Sequence, residues 1–237
     1  AYGGWVASAD WVKDALARPM AGDPGGRMLY STGNSHLLSA VLTRASGRST
    51  YDLAREWLAE PLDLDLPPWP RDPQGIYFGG NDMRLSPLGM LRFGELYRMD
   101  GVFAGRRVLP EGWVETSWRP LGISAWSGRG YGYGWFSARL GGQTVHFAWG
   151  YGGQMIYVVP KLRLTVAMTS DAAPHPRSES HIATLHAVMA EEIIPAAVKG
   201  APPEDEVQRA ESASSASSTV EGVSSSGSSV GASRPGV

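Results

Sequence analysis

Two short stretches combine residue types that could do chemistry. The first, "YSTGN" (residues 30–34), places a tyrosine, two hydroxyl side chains and an asparagine just before an amphipathic segment. The second, "WGYGGQ" (residues 149–154), sets glycines between two β-type segments, and glycine in a strand often marks the close approach of a ligand to the backbone. Each stretch also has a structural explanation: a helix cap at Asn34, and a hairpin turn that glycine permits. The residues alone leave both explanations open.

Metal, phosphate and thiol chemistry find little support in the sequence. There is no cysteine, and the closest histidine pair, His181 and His186, is five residues apart and does not share one helix face well. No Lys-Ser or Lys-Thr pair follows the glycines of 149–154, so they do not form a phosphate-binding loop. We therefore expect no metal and no cofactor. His146, in a strand near the glycines, could line a cleft.

Charge and hydropathy limit the partners of the chain. The 237 residues carry a formal charge of −2 and no long basic run, so nucleic acid is not an expected partner. No apolar run approaches the roughly 18 residues that a membrane span needs. The N-terminus has no basic flank followed by an apolar stretch, so no signal peptide is expected. The compartment and the oligomeric state stay open.

The first half of the chain is predicted to be helical, because residues that typically begin or end helices recur along it. The expected helices are "WVKDALARP" after Asp10 or Ser8, Ser35–Ser46 between an Asn34 cap and Gly47, "TYDLAREWLAEPL" between Ser49 and Pro61, a helix opened by Ser86 and Pro87 and closed by Gly101, and the short "LPEGWVETSW". In the second of these helices, apolar side chains recur at helical spacing, which predicts one buried face. These side chains are Leu37, Leu38, Val41, Leu42 and Ala45.

Beyond Gly130 the pattern changes to strands. Four runs rich in β-branched and aromatic residues are separated by turn residues, which predicts three or four consecutive antiparallel strands with hairpin connections. A last helix, at about Ser180 to Ile194, is expected to pack back on the sheet. Helices followed by such a meander indicate an α+β fold rather than a βαβ fold.

The C-terminal segment differs in composition from the rest. Eleven of the last 27 residues are serine and none is aromatic. Such a segment buries too little apolar surface to offset the entropy lost on ordering, so we predict a disordered Ser/Gly-rich tail. The expected organisation is one domain over residues 1–195 and a tail over 196–237.

Several of these segments, taken together, resemble the serine β-lactamase and penicillin-binding-protein family, and more narrowly its class C-like esterases and the 6-aminohexanoate-dimer hydrolase type. The segments are "PGGRMLYSTGNSHLLSAVLTRASGRSTYDLAREWLAEPLDL", "GGNDMRLSPLGMLRFGELYRMDGVFAGRRVLPEGWVE", "GYGYGW" and "WGYGGQMIYVVPKLRLTVAMTS". The resemblance covers about residues 5–195. It implies a β-lactamase/transpeptidase-like fold, with an antiparallel sheet flanked by helices, and a serine hydrolase that acts on a small ester, amide or lactam through an acyl-enzyme.

The resemblance also implies roles for individual residues. Tyr30 matches the family's motif tyrosine, which relays protons between nucleophile and leaving group when its neighbours lower a pKa that is normally about 10. The asparagine usual two residues later is Thr32 here, with Asn34 nearby, and either could contact the substrate. The substrate and oxyanion wall would comprise Trp149 and the motif Tyr151-Gly152-Gly153, which matches a family strand motif. Tyr151 replaces the usual cation there, so this position offers no charge to the carboxylate of a β-lactam. This favours an ester or amide as the substrate.

The family's nucleophile motif, Ser-x-x-Lys, is absent from the sequence. The residues three before Lys13, Lys161 and Lys199 are aspartate, valine and alanine, and only 29 residues precede Tyr30. We therefore expect the C-terminal portion of such a hydrolase, without its N-terminal strands and nucleophile helix, and inactive alone. The alternative is a non-catalytic small-ligand-binding or interaction protein derived from the same fold.

Overall fold

The computed structural model describes residues 2–171 and 178–200. Residues 1–197 form one compact unit. The predicted tail lies outside the described residues from 201 to 237, whereas residues 196–200, which we assigned to its start, are helical.

The helical elements fall into two groups along the chain. The first group comprises α1 (Tyr2–Val6), α2 (Trp11–Ala17), α3 (Thr32–Ser46), α4 (Thr50–Ala54), a π-helical turn (Arg55–Ala59), α5 (Glu60–Leu62), α6 (Pro87–Arg98) and α7 (Trp113–Trp118). The second group follows the strands and comprises α8 (Ser178–Ala187), a π-helical turn (Val188–Ile193) and α9 (Ile194–Gly200).

The strands form an antiparallel meander, as the turn pattern predicts, but the main sheet has six strands where three or four were expected. A small two-stranded sheet contains β1 (Val102–Phe103) and β2 (Arg106–Arg107). The main sheet has six strands in sequence order: β3 (Gly122–Ile123), β4 (Gly130–Tyr131), β5 (Phe136–Leu140), β6 (Gln143–Gly150), β7 (Gln154–Val159) and β8 (Leu164–Met168). Two glycines with positive φ, Gly141 and Gly142, join β5 to β6, as a tight hairpin requires. With its flanking helices, the sheet confirms the α+β class.

Several predicted helix ends are confirmed. The Lys13 amide donates to Asp10 Oδ1 over 2.9 Å, which identifies Asp10 as the cap of α2. Ser86 caps α6, with Pro87 as its first residue. Gly47 ends α3 in the left-handed conformation, with φ of 68°.

The prediction that Asn34 caps α3 is wrong. The cap is Ser31, whose hydroxyl accepts a hydrogen bond from the Asn34 amide over 3.3 Å, and the helix begins at Thr32. Ser31 is the residue with extended backbone angles, so it alone can turn its side chain back onto the first free amides. Asn34 lies within the first turn, and its side chain is exposed.

The prediction that Pro61 closes the helix after Ser49 is also wrong. Ser49 caps α4 as expected, but helical structure continues through Pro61 to Leu62, and Asp63, which has φ of 50°, follows it as the C-cap. Proline cannot donate to the preceding turn, and the π-helical turn accommodates this by widening the backbone. The Leu64 amide then bonds to the Ala59 carbonyl five residues back, over 2.8 Å.

The buried face of α3 is the opposite of the predicted one. Leu38 and Val41 are 66% and 61% exposed, whereas His36 and Ser39 are buried. His36 Nε2 lies 3.0 Å from Asp72 Oδ2, and the Ser39 hydroxyl donates to the Tyr77 carbonyl over 2.7 Å. Within the described residues, the segments that pack on this helix contact its polar side. Its buried polar side chains are accordingly hydrogen-bonded.

The main sheet is covered on both faces. Alternation along β7 sends Met155, Tyr157 and Val159 into the core beneath α8 and its extension, and Ile156 and Val158 into the core beneath α6. Gly94 of α6 permits close packing there, because a Cβ would lie 2.6 Å from the Thr165 methyl group. The α8 face carries the aromatic side chains that lead to Tyr30.

Candidate active site

The "YSTGN" segment lies between an edge of the main sheet and the start of α3. At the sheet edge, Gly122 of β3 packs on Met28 so closely that a Cβ would lie 3.0 Å from the Met28 Cβ. At the helix, a Cβ on Gly80 would lie 2.6 Å from the Thr32 methyl group. Tyr30 is thus held where the chain passes from sheet to helix, and Thr32 is used in packing.

Tyr30 meets a second tyrosine that the sequence interpretation did not select. Its ring is 63% exposed and packs edge to face on Tyr131 of β4, with ring centroids 6.2 Å apart. Burial and the neighbouring Tyr30 raise the pKa of Tyr131. The only sequence signal for Tyr131 was its position in "GYGYGW", which had no assigned role.

Trp149 is connected to Tyr30 through a continuous series of aromatic contacts. Tyr131 packs on Phe136 at 4.7 Å between ring centroids, and Phe136 packs on Trp149 at 5.6 Å. Trp149 in turn stacks on Trp126, a 62% exposed side chain of the β3–β4 loop, at 4.3 Å. Sequence reasoning missed Trp126, because a single tryptophan in a loop carries no pattern.

The glycine motif lies in the turn between β6 and β7. Strand β6 ends at Gly150, and Gly152 and Gly153 have φ of 74° and 95°. These angles support the turn explanation, so the motif that we expected on a strand follows one instead. The side chain of Tyr151, at the start of the turn, is 76% exposed. Within the described residues, neither a hydrogen bond nor a ring contact joins Tyr30 to Tyr151.

Two residues that follow β8 in the sequence hold this turn in place. The Ser170 hydroxyl donates to the Gly153 carbonyl over 3.2 Å, and it lies 2.9 Å from His181 Nε2 on α8. Because the hydroxyl proton is used on Gly153, the histidine is the donor of the second bond. Gln154 closes the arrangement by donating to the Ser170 carbonyl over 2.6 Å. The turn, the end of β8 and α8 are therefore one hydrogen-bonded unit.

His146 lines a groove, but on the other face of the sheet from Trp149. The two side chains are an odd number of residues apart on β6 and so point to opposite faces. His146 stacks flat on Trp118 at 4.1 Å and lies 2.9 Å from the Ser137 hydroxyl through Nδ1. The groove has a volume of about 490 Å³ and is lined by residues of α6 and α7. Burial lowers the pKa of His146 to about 4.

The described residues contain neither a metal-binding cluster nor a membrane-spanning helix. Across residues 2–171 and 178–200, acidic and histidine side chains do not gather in groups of three or more that could hold a metal ion. In the same ranges, none of the helices is both long enough and apolar enough to cross a membrane.

A family model described as Beta-lactamase matches residues 2–190. A comparison with curated protein sequences finds no match.

Solved structures of similar fold are numerous, and three represent them. A Bacillus anthracis protein named as a candidate 6-aminohexanoate-dimer hydrolase has a TM-score of 0.65 at 18% identity, over 78% of this chain and 49% of its own. An octameric penicillin-binding protein homologue from Pyrococcus abyssi has a TM-score of 0.57 at 20% identity, over 75% and 46%. A penicillin-binding protein homologue from Caulobacter crescentus has a TM-score of 0.59 at 15% identity, over 77% and 65%. The chain thus spans about half the length of the first two.

Proposed function

The chain belongs to the β-lactamase family, and from this premise we propose that it carries the tyrosine side and the sheet side of a serine-hydrolase active site. The observation that carries the proposal is the position of Tyr30. Its ring is largely exposed at the junction of the sheet edge and α3, and aromatic contacts connect it to Trp149.

In the proposed reaction, a serine attacks the acyl carbon of an ester, amide or lactam while a lysine three residues later takes its proton. Tyr30 passes a proton to the leaving group, and backbone amides near Gly152 and Gly153 stabilise the oxyanion. No Ser-x-x-Lys occurs in the 237 residues. We propose that this motif belongs to a part of the full-length parent that lies outside this sequence.

The substrate preference follows from Tyr151. An exposed phenol stands where related enzymes place a cation, so this position offers no charge to a β-lactam carboxylate. We propose that esters or amides are better substrates of the parent than β-lactams.

The direct test offers the purified chain a chromogenic ester, an anilide and a chromogenic cephalosporin. We expect no turnover above that of buffer, because the serine–lysine pair is missing. Turnover that Tyr30→Phe abolishes would contradict the proposed inactivity of the chain alone.

The second test uses a longer reading frame of the same gene. We expect it to encode Ser-x-x-Lys, with the serine labelled by a fluorophosphonate probe, and Tyr30→Phe to lower kcat by roughly 10²–10⁴-fold. A full reading frame without this motif would overturn the catalytic proposal.

The absent motif also favours a second candidate, a non-catalytic binding protein built on the same fold. Trp149 and Tyr151 would then offer an aromatic surface to a small ligand. Binding of an ester or amide without turnover by the longest chain that the gene encodes would support this candidate over the first.

A further inference from the structure

Arg129 is a partly buried arginine for which residues 2–171 and 181–200 supply no acidic partner. Its guanidinium carbon lies 5.7 Å from the ring centroid of Phe147, in the core between the sheet and α8. Among the residues that the structure describes, no carboxylate acts on it, and burial lowers its pKa. Arg98, by contrast, is paired to Glu95 through two hydrogen bonds of 2.7 and 2.6 Å. Partial burial weakens the hydration of the guanidinium, so an anion bound at Arg129 would be favoured.

A second unpaired polar group lies beside Arg129. The rings of Tyr157 and His186 both pack on Phe147, with centroids 5.7 and 5.0 Å from its own. The Tyr157 hydroxyl lies 3.1 Å from His186 Nδ1, and His186 Nε2 is buried and has no hydrogen-bond partner in the described part of the chain. His186 is only 6% exposed. When the tyrosine donates this bond, Nε2 carries a proton and becomes a buried donor that lacks an acceptor.

The charge state of His186 reinforces this arrangement. Burial and the positive charge of Arg129 lower the pKa of His186 to about 4, and burial raises the pKa of Tyr157. At neutral pH the cluster therefore has a single positive charge, on Arg129, and two neutral hydrogen-bonding groups. One cation suits a monoanion such as a carboxylate better than a phosphate dianion.

The surroundings of this cluster are aromatic. Trp149 contacts the His186 ring at 6.2 Å between centroids, and its other side carries the exposed Trp126. Trp126 precedes Arg129 by three residues in the β3–β4 loop. The loop is well fixed, because the buried Ser124 accepts from the Gly128 amide over 2.8 Å and donates its own amide to the Arg129 carbonyl over 2.9 Å.

We propose that Arg129 binds the carboxylate of a small organic acid whose apolar body lies on the Trp126–Trp149 stack. The guanidinium supplies a charge-assisted bond. The exposed tryptophan face gives a planar or alicyclic body a surface on which to pack. The proposal concerns binding by this chain, so it does not depend on turnover and stands apart from the proposed hydrolysis.

The test is isothermal titration of the full 237-residue chain with three ligands of one shape. These are 3-phenylpropanoate, its neutral amide and the corresponding cationic amine. We expect the acid to bind roughly tenfold or more tightly than either of the others, because a hydrogen bond to a charged group discriminates by about that factor. Equal affinity for all three, or no binding at millimolar concentration, would overturn the proposal.

Variants locate the site. Arg129→Gln should remove the preference for the acid, whereas Arg119→Gln, which changes an exposed arginine of another loop, should keep it. Trp126→Ala should weaken the binding of the acid and of the amide by similar factors. An acid preference that survives in Arg129→Gln would refute the assignment.

Two further measurements separate binding from folding and from generic anion binding. Arg129→Gln should unfold at or above the temperature of the parent chain, because it removes a partly buried charge, and Arg129→Lys should retain part of the acid preference. Inorganic phosphate should displace the acid poorly. Displacement at equal concentration would identify a general anion site and reject the carboxylate with its apolar body.

Discussion

The ring of Tyr30 meets the ring of Tyr131 edge to face, with an interplanar angle of 72°. One tyrosine precedes α3 and the other belongs to β4, so this contact joins the helical half of the chain to the sheet. Through this contact, Tyr30 adds to the effect of burial in raising the pKa of Tyr131. Tyr131 is therefore a part of the candidate site that can be measured without any substrate.

Replacing Tyr30 should change the titration of Tyr131. In Tyr30→Phe, we expect the pKa of Tyr131 to fall relative to the parent chain but to remain above about 10, because burial still raises it. NMR of ring-labelled tyrosine through a pH series measures this. Tyr2→Phe, at an exposed tyrosine that contacts Trp5, is the control and should leave Tyr131 unchanged. An unaltered pKa in Tyr30→Phe would contradict this effect of Tyr30.

The two candidate caps of α3 can be separated by their effect on stability. Ser31→Ala should lower the free energy of unfolding by about 1 kcal/mol, since the amide at Asn34 loses its acceptor. Asn34→Ala should change it by less than about 0.5 kcal/mol, because the asparagine is an exposed residue of the first turn. Urea unfolding of both variants makes the comparison, and the reverse ranking would restore Asn34 as the cap.

Gly153 combines a positive φ with a crowded surrounding. Gly153→Ala should destabilise the chain by about 2–3 kcal/mol, because the added Cβ would have a strained φ of 95° and lie 3.0 Å from both the Leu185 side chain and the Ser170 hydroxyl. Gly128→Ala is the matched control, with φ of 66° and open space around the Cβ, and should cost about 1 kcal/mol. Thermal unfolding compares them, and equal losses would mean that the contacts at Gly153 are unimportant.

Stability should fall as the pH is lowered from about 6.5 to about 4. The pKa values of His146 and His186 are about 4 in the folded chain, against 6.5 for an unperturbed histidine. Above pH 6.5 both histidines are neutral in the folded and in the unfolded chain. Between pH 6.5 and 4 they are protonated in the unfolded chain but not in the folded one, so lowering the pH stabilises the unfolded chain. Urea unfolding at several pH values measures the slope.

Single substitutions assign this slope to particular histidines. His146→Gln should reduce the pH dependence of the free energy of unfolding between about 6.5 and 4, because it removes one of the two histidines whose pKa burial lowers. The groups that face His186 are Arg129 and Tyr157, and those near His146 include Glu115. A slope unaffected by His146→Gln would show that His146 does not contribute to it.

Local signals predicted the parts of the fold that local interactions decide. Ser86 and Gly47 are confirmed as helix ends, and Asp10 is the cap among the two residues, Asp10 and Ser8, that the sequence left open, because a cap satisfies backbone groups within its own turn. The strands from Phe136 onward were predictable because glycine pairs or a proline stand in the turns between them. Local signals failed where neighbours from elsewhere decide: the buried face of α3 depends on Asp72 and the segment around it.

The candidate site was predictable only in part for the same reason. Tyr30 and Trp149 were identified through the family resemblance, but Tyr131 and Trp126 joined them only through the register of β4 and β5 and the course of one loop. Arg129 and His186 are 57 positions apart in the numbering, so no spacing rule could pair them.

The outward apolar stripe of α3 has a consequence for the behaviour of the molecule in solution. Leu38, Val41 and Leu42 present hydrocarbon to water along one side of a regular helix, while a histidine and a serine occupy the interior. Salts that are excluded from protein surfaces strengthen the association of such side chains, and cooling weakens it. Ionic composition and temperature should therefore govern how concentrated a solution of this chain can become, well before they affect whether it is folded.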